Sequence, residues 1–189
     1  MPNPMVRYPA SARSTRQTGV ALVTSLVFLV LLTIIGITAA RMASMEERMA
    51  SNMRDRDIAL RAAEMTLRDA ERDIMNAVPA SARNISGCVG FVANCGASTG
   101  TDVDDGKCYN GTGGYSTPIW QTANFTAAPS VAYGRFTSAS AISGVIAQPR
   151  YLIECMPKSD GTWYRIYARA QGAKPGTVVL LEEMFTPGE

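Results

Sequence analysis

The sequence predicts an α+β protein in which one long N-terminal helix packs on a C-terminal antiparallel sheet, with a loop-rich, disulfide-pinned middle. Three observations carry this expectation. Residues 20–40 are uncharged and apolar, and residues 41–78 continue without proline or glycine. Three runs rich in β-branched and aromatic residues begin at Arg150. Four cysteines, Cys88, Cys95, Cys108 and Cys155, lie in or beside the polar stretch between helix and strands.

A bilayer core of about 30 Å needs about 20 helical residues, and Val20–Ala40 supplies 21. A cleaved secretory signal has a shorter apolar core that ends in small residues. Thr38-Ala39-Ala40 imitates such an end, but the run is too long and flows straight into helix-forming sequence. From there Met42, Met45, Met49, Met53, Leu60, Ala63, Leu67, Ala70 and Ile74 fall three, four or seven residues apart, one stripe on a helix. Asp57–Arg61 and Glu64–Arg68 place an acid four residues before a base, the favourable order. Pro79 is expected to end the helix. So long a helix suits a coiled coil, but a stripe of Met and Ala fits packing on a sheet better than a tight dimer seam.

Residues 79–148 hold ten of the sixteen glycines and only six charged residues. We expect loops here, with a short strand at Tyr133–Thr137. "TDVDDGKC" (101–108) resembles the start of a calcium loop but fails: counting Asp102 as position one, glycine falls fifth and Gly113 stands where a glutamate is needed. A solvated acidic turn is expected instead. Asn84, Asn110 and Asn124 each open a glycosylation sequon, a triplet that chance supplies freely in polar loops. From Arg150, "RYLIECM" and "WYRIYARA" flank a turn with Asp160-Gly161, and "TVVLLEEMF" follows. We read an antiparallel meander whose first hairpin loop exceeds two residues.

The chain has 189 residues, a net charge of +2 and no histidine. Serine–histidine and cysteine–histidine nucleophiles, histidine bases and HExxH zinc sites are therefore excluded. The three lysines, Lys107, Lys158 and Lys174, sit in no recognisable catalytic motif. We expect no enzyme, no cofactor and no metal site, and the near-neutral charge gives no argument for nucleic acid. An even number of cysteines in a loop-rich region suggests two disulfides in an oxidising compartment. Spacing leaves three connectivities open. Our working choice is Cys88–Cys95 with Cys108–Cys155. Arg7, Arg13 and Arg16 precede the apolar run, and Arg41, Arg48, Arg54 and Arg56 follow it, so basic residues alone do not orient it. The cysteines place residues 41–189 outside.

Residues 18–74, "TGVALVTSLVFLVLLTIIGITAARMASMEERMASNMRDRDIALRAAEMTLRDAERDI", resemble the N-terminal helix of type IV pilin-like proteins. "EERMASNMRDRDIALRAAEMTLRDAE" (46–71) is similar to the signature of the PilX family of minor pilins, and "YRIYARAQGAKPGTVVLLEEMF" (164–185) resembles that family's C-terminal strands. The resemblance covers about half the chain and leaves residues 79–148 unmatched. It implies a leader of residues 1–19, cut between Gly19 and Val20 by a prepilin peptidase, with methylation of the new amino terminus. It implies a transmembrane half at 20–40, an amphipathic half at 41–78 and an extracytoplasmic head at 79–189, divided into a variable region at 79–148 and a sheet at 149–189. Major pilins carry glutamate at the fifth mature position, where this chain has Thr24. That departure implies a place at or near the pilus tip.

The partners implied are the major pilin, other minor pilins, the prepilin peptidase, a PilY-type tip adhesin and the inner membrane. The head would lie in the periplasm before assembly and outside the cell in the pilus. Two rivals remain at this level: a membrane-anchored extracytoplasmic sensing protein, and a type II secretion pseudopilin, for whose usual extra domain 189 residues leave little room.

Overall fold

The computed structural model describes residues 19–79, 83–93, 95, 105–109, 119–159 and 161–188. The chain divides into two units, residues 1–49 and 50–189. Helix α1 spans Val20–Ile74. In the first unit, every described residue is exposed. Thr24, Ser25, Thr33 and Thr38 each donate their hydroxyl to a carbonyl three or four residues earlier, at 2.7–3.0 Å. Every hydroxyl of the apolar run is thus satisfied within its own helix, as a lipid environment requires.

α1 stops four residues short of the expected end, and Pro79 is not the cause. Asn76 takes a left-handed φ of 52°. Its N–H donates to Asp73 at 3.0 Å, and the N–H of Ala77 donates to Arg72 at 2.9 Å. These two bonds form a Schellman cap, a turn that asparagine tolerates better than other side-chain-bearing residues.

In the second unit the chain runs β1 (Lys107–Cys108), α2 (Ile119–Thr122), β2 (Val131–Ala132), β3 (Arg150–Lys158), β4 (Gly161–Gln171) and β5 (Val178–Phe185). β3, β4 and β5 form the expected antiparallel meander. The sheet as a whole is mixed, because β1 pairs parallel with β3 while β2 pairs antiparallel with it. Lys158 pairs with Gly161, so the first hairpin loop has two residues, not the longer loop expected. The strand expected at Tyr133–Thr137 lies earlier, at Val131–Ala132. Gly134, at φ 75°, turns the chain out of the sheet.

The sheet has two covered faces. On one, Tyr151, Ile153 and Cys155 of β3 and Tyr164, Ile166 and Ala168 of β4 pack with Leu67, Ala70 and Ile74 of α1. Alternation along each strand sends these residues to one side. On the other face, Leu152 and Tyr167 pack with Cys95, Cys108, Ile119 and Phe125 from the loop-rich region. That region is a third layer over the sheet. The buried side of α1 is Ala59, Ala62, Ala63, Thr66, Leu67, Ala70 and Ile74. The methionine half of the expected stripe, Met42 to Met53, is exposed instead. Asp57 pairs with Arg61 as expected, at 2.9 Å, but Arg68 pairs with Glu71, at 2.7 Å, and not with Glu64.

Candidate functional site

The resemblance led us to expect processing between Gly19 and Val20. Val20 is the first helical residue, and Gly19 stands just before it. A Cβ added to Gly19 would meet nothing within 4 Å. Thr24 is one turn in, and its hydroxyl donates to the carbonyls of Val20 and Ala21, both at 3.0 Å. The first turn of α1 holds no acidic side chain. Residues 1–18, including Arg7, Arg13 and Arg16, lie outside the described residues, as do Asp102, Asn110 and Gly113.

All four cysteines are bonded, as Cys88–Cys155 and Cys95–Cys108. The expected pairing, Cys88–Cys95 with Cys108–Cys155, is therefore corrected. β1 pairs Cys108 with Glu154, one residue before Cys155. Side chains alternate along a strand, so Cys108 faces the loop layer with Leu152 while Cys155 faces α1. The sheet itself separates these two sulfurs. Cys155 meets Cys88, in the loop beneath α1, and Cys108 meets Cys95.

Sequence reasoning missed a row of buried acids on α1. Asp55 Oδ1 accepts the N–H groups of Ala173 and Lys174 at 2.6 and 3.2 Å. The Thr177 hydroxyl first, then these amides and the Lys174 charge, hold its carboxyl below the ordinary aspartate value, against the effect of burial. Asp69 accepts from the N–H of Gly134 at 2.7 Å and from the Thr137 hydroxyl. Burial pushes its carboxyl up, and those two donors oppose the shift. Asp73 accepts from Arg83 Nε at 3.1 Å, from Arg83 Nη2, and from the Tyr151 hydroxyl at 2.7 Å. Arg83 also donates to the carbonyl of Asp105 and lies 4.2 Å from the centre of the Phe136 ring. Burial foremost, then the Asp73 charge, raises the Tyr151 hydroxyl well above its ordinary range. Asp105, expected in a solvated turn, is buried.

These acids lie on or beside the face that carries Ala59, Ala62, Thr66 and Ala70. The sequence signal was therefore present: aspartates fall in register with the apolar stripe, where isolated charges are rarely buried. Each receives a different loop of the head. Asn76 adds a fourth fastening, with Nδ2 donating to the Ile85 carbonyl at 3.1 Å and Oδ1 accepting from the Ile85 N–H at 3.0 Å. Such a row holds loops to a helix. No group of three or more metal-ligating side chains occurs among the described residues.

An apolar helix long enough to cross a membrane, continued into the spine of a disulfide-bonded α+β head, defines the type IV pilin class. Residues 18–68 match the PilX N-terminal family, and residues 104–187 match the type IV pilus assembly protein PilX C-terminal family. The two matches span more than two thirds of the chain, which belongs to the PilX family and is a minor pilin of type IV pilus assembly. The C-terminal match includes residues 104–148, within the region that the sequence resemblance left unmatched. No curated protein and no solved structure matches the chain. The family is one of structural assembly proteins that act with other pilus components, and the N-terminal helix fits a membrane-anchored pilin.

Proposed function

We propose that this minor pilin is cut between Gly19 and Val20, enters the pilus at or near its tip, and acts there to start assembly. Residues 1–19 are the leader, and the prepilin peptidase is the enzyme that removes it. The head then presents residues 79–148 outward, in support of adhesion and twitching motility. The major pilin, other minor pilins and a PilY-type tip adhesin are the partners. The head faces the periplasm before assembly and the exterior afterwards.

Thr24 carries this reading. A carboxylate inside the bilayer is costly unless it meets a cation such as the amino terminus of a neighbouring subunit. A subunit with no neighbour ahead of it has no use for one. Thr24 satisfies its hydroxyl on Val20 and Ala21 instead. The bare backbone at Gly19 suits a peptidase that must approach the chain closely.

Two measurements on pili from the native host test the proposal. The amino-terminal mass should begin at Val20; an intact leader in assembled pili would refute processing. Immunogold label should gather at one pilus end. Label spread evenly along the shaft would refute the tip position.

A further inference from the structure

Arg150 and Arg169 are direct partners across the β3–β4 pair. Both lie on the sheet face turned away from α1, in line with Leu152 and Tyr167. Like charges directly opposite each other on a sheet are destabilising, so the sequence carries a cost here that needs a reason. Arg150 is partly held: its Nε donates to Ser130 Oγ at 2.7 Å and its Nη2 to the Ser130 carbonyl. Arg169 has no hydrogen bond or ion pair among the described residues. Both are half-buried.

The pair opens into a recess of about 200 Å³ also lined by Phe125, Thr126, Gln148 and Gln171, with no acidic side chain in its wall among the described residues. The amides there are occupied. Gln148 exchanges two bonds of 2.9 Å with the main chain of Ile142, and Gln171 Nε2 donates to the Pro175 carbonyl at 3.2 Å. What remains unspent is guanidinium N–H. Burial presses against the Arg150 charge, and Asp105 only opposes that in part.

We propose that this recess is a carboxylate-binding site, in which the Arg150 and Arg169 guanidinium groups clamp one carboxylate and Phe125 borders its apolar stem. Planar guanidinium forks match a carboxylate in two-point fashion, and the pairing is strongest where water is partly excluded. The carboxylate comes either from an acidic sugar or from an acidic side chain of another protein, and the recess has room for one such group. The site is independent of the Thr24 reading above.

Thermal unfolding of the full chain in nonionic detergent, at low salt, tests it. The probes are galacturonate for the sugar source and N-acetylglutamate α-amide for the side-chain source, with glucose and N-acetylglutamine α-amide as uncharged controls. At least one carboxylate should raise the unfolding midpoint saturably by a few degrees, and the controls should not. Arg169→Gln should weaken that probe at least tenfold while leaving the unliganded midpoint equal or higher, because it removes a like-charge contact. Arg169→Lys should fall between, since it keeps the charge without the fork. Tighter binding of galacturonate assigns the sugar source, and tighter binding of the glutamate probe assigns a protein partner. A carboxylate shift that survives Arg169→Gln, or no shift with either probe, would overturn the proposal. So would a lower unliganded midpoint in Arg169→Gln, which would make Arg169 a structural residue.

Discussion

Gly172 lies so close to Asp55 that a Cβ built on it would stand 2.5 Å from Asp55 Oδ1 and 2.7 Å from the Asp55 main-chain oxygen. The carboxylate can swing aside, but the helix backbone cannot. The same loop continues into the two amides that bind Asp55, so glycine is what lets β4 and its following turn dock on α1. Gly172→Ala should destabilise the head by about 1–3 kcal/mol, the usual range for overpacking. Gly176→Ala is the control, because a Cβ there meets nothing within 4 Å. Urea unfolding of the two variants compares them; equal midpoints would show that the approach is not tight.

Acid should act on the row of aspartates in opposite directions. Asp55 is held below the ordinary value of 3.8, led by the Thr177 hydroxyl. Folded, it takes up a proton less readily than unfolded, so its contribution is present above 3.8 and is lost as pH falls through the lower folded value. Asp69 is raised above 3.8, mainly by burial. Its folded form takes up the proton first, so between the raised value and 3.8 stability gains as pH falls. Carboxyl chemical shifts followed through an acid titration should give a midpoint below 3.8 for Asp55 and above it for Asp69. The reverse order would contradict the contacts described.

The Asp73–Arg83 pair is fully buried. It fixes the start of the loop-rich region to α1 and, through the Tyr151 hydroxyl, to β3. Breaking one side of such a pair leaves a charge without compensation and costs about 3–5 kcal/mol. Asp73→Asn should therefore cost more than Asp57→Asn, whose pair with Arg61 is exposed and contributes about 0–1 kcal/mol. A double-mutant cycle with Arg83→Met should recover part of the loss, because no lone guanidinium is then buried. Additive losses would mean that the pair does not act as a unit.

The head was legible in the sequence where a run of residues carries its own signal. β3, β4 and β5 are runs rich in apolar, β-branched and aromatic residues, and were located to within two residues of their ends. The apolar part of α1 was found because an uncharged run of 21 residues is long enough to cross a bilayer. What failed depended on distant partners. Met53 repeats at the right spacing yet stays exposed, because the head begins to cover α1 only near Asp55 and Ala59. Asp69 and Asp73 were not singled out, since their donors, Thr137 and Arg83, lie in loops with no period to read. β1 and β2, two residues each, are too short for any pattern and exist because the edge of β3 needs partners. The Gly19–Val20 junction and Thr24 are singled out by the family resemblance alone, and the structure adds only their place at the start of α1.

The disulfides supply the last prediction. Cys88–Cys155 closes a span of 67 residues and Cys95–Cys108 one of 13. In the chain-entropy model these stabilise by about 4 and about 3 kcal/mol respectively, with engineered cases often giving less. The two bridges act on different layers. Cys88–Cys155 ties the loop after Arg83 to the α1 side of β3, while Cys95–Cys108 holds β1 within the loop layer on the other side. Cys88→Ser with Cys155→Ser should therefore lower global stability, whereas Cys95→Ser with Cys108→Ser should act more locally. Amide exchange in the second pair of substitutions should rise at Lys107 and Cys108 while Ile153 and Ile166 stay protected. Non-reducing peptide mapping of the unmodified protein should recover Cys88 joined to Cys155 and Cys95 joined to Cys108. Recovery of Cys88 joined to Cys95 would require Cys108 to reach Cys155 through the sheet, and would mean that the register of β1 on β3 is wrong.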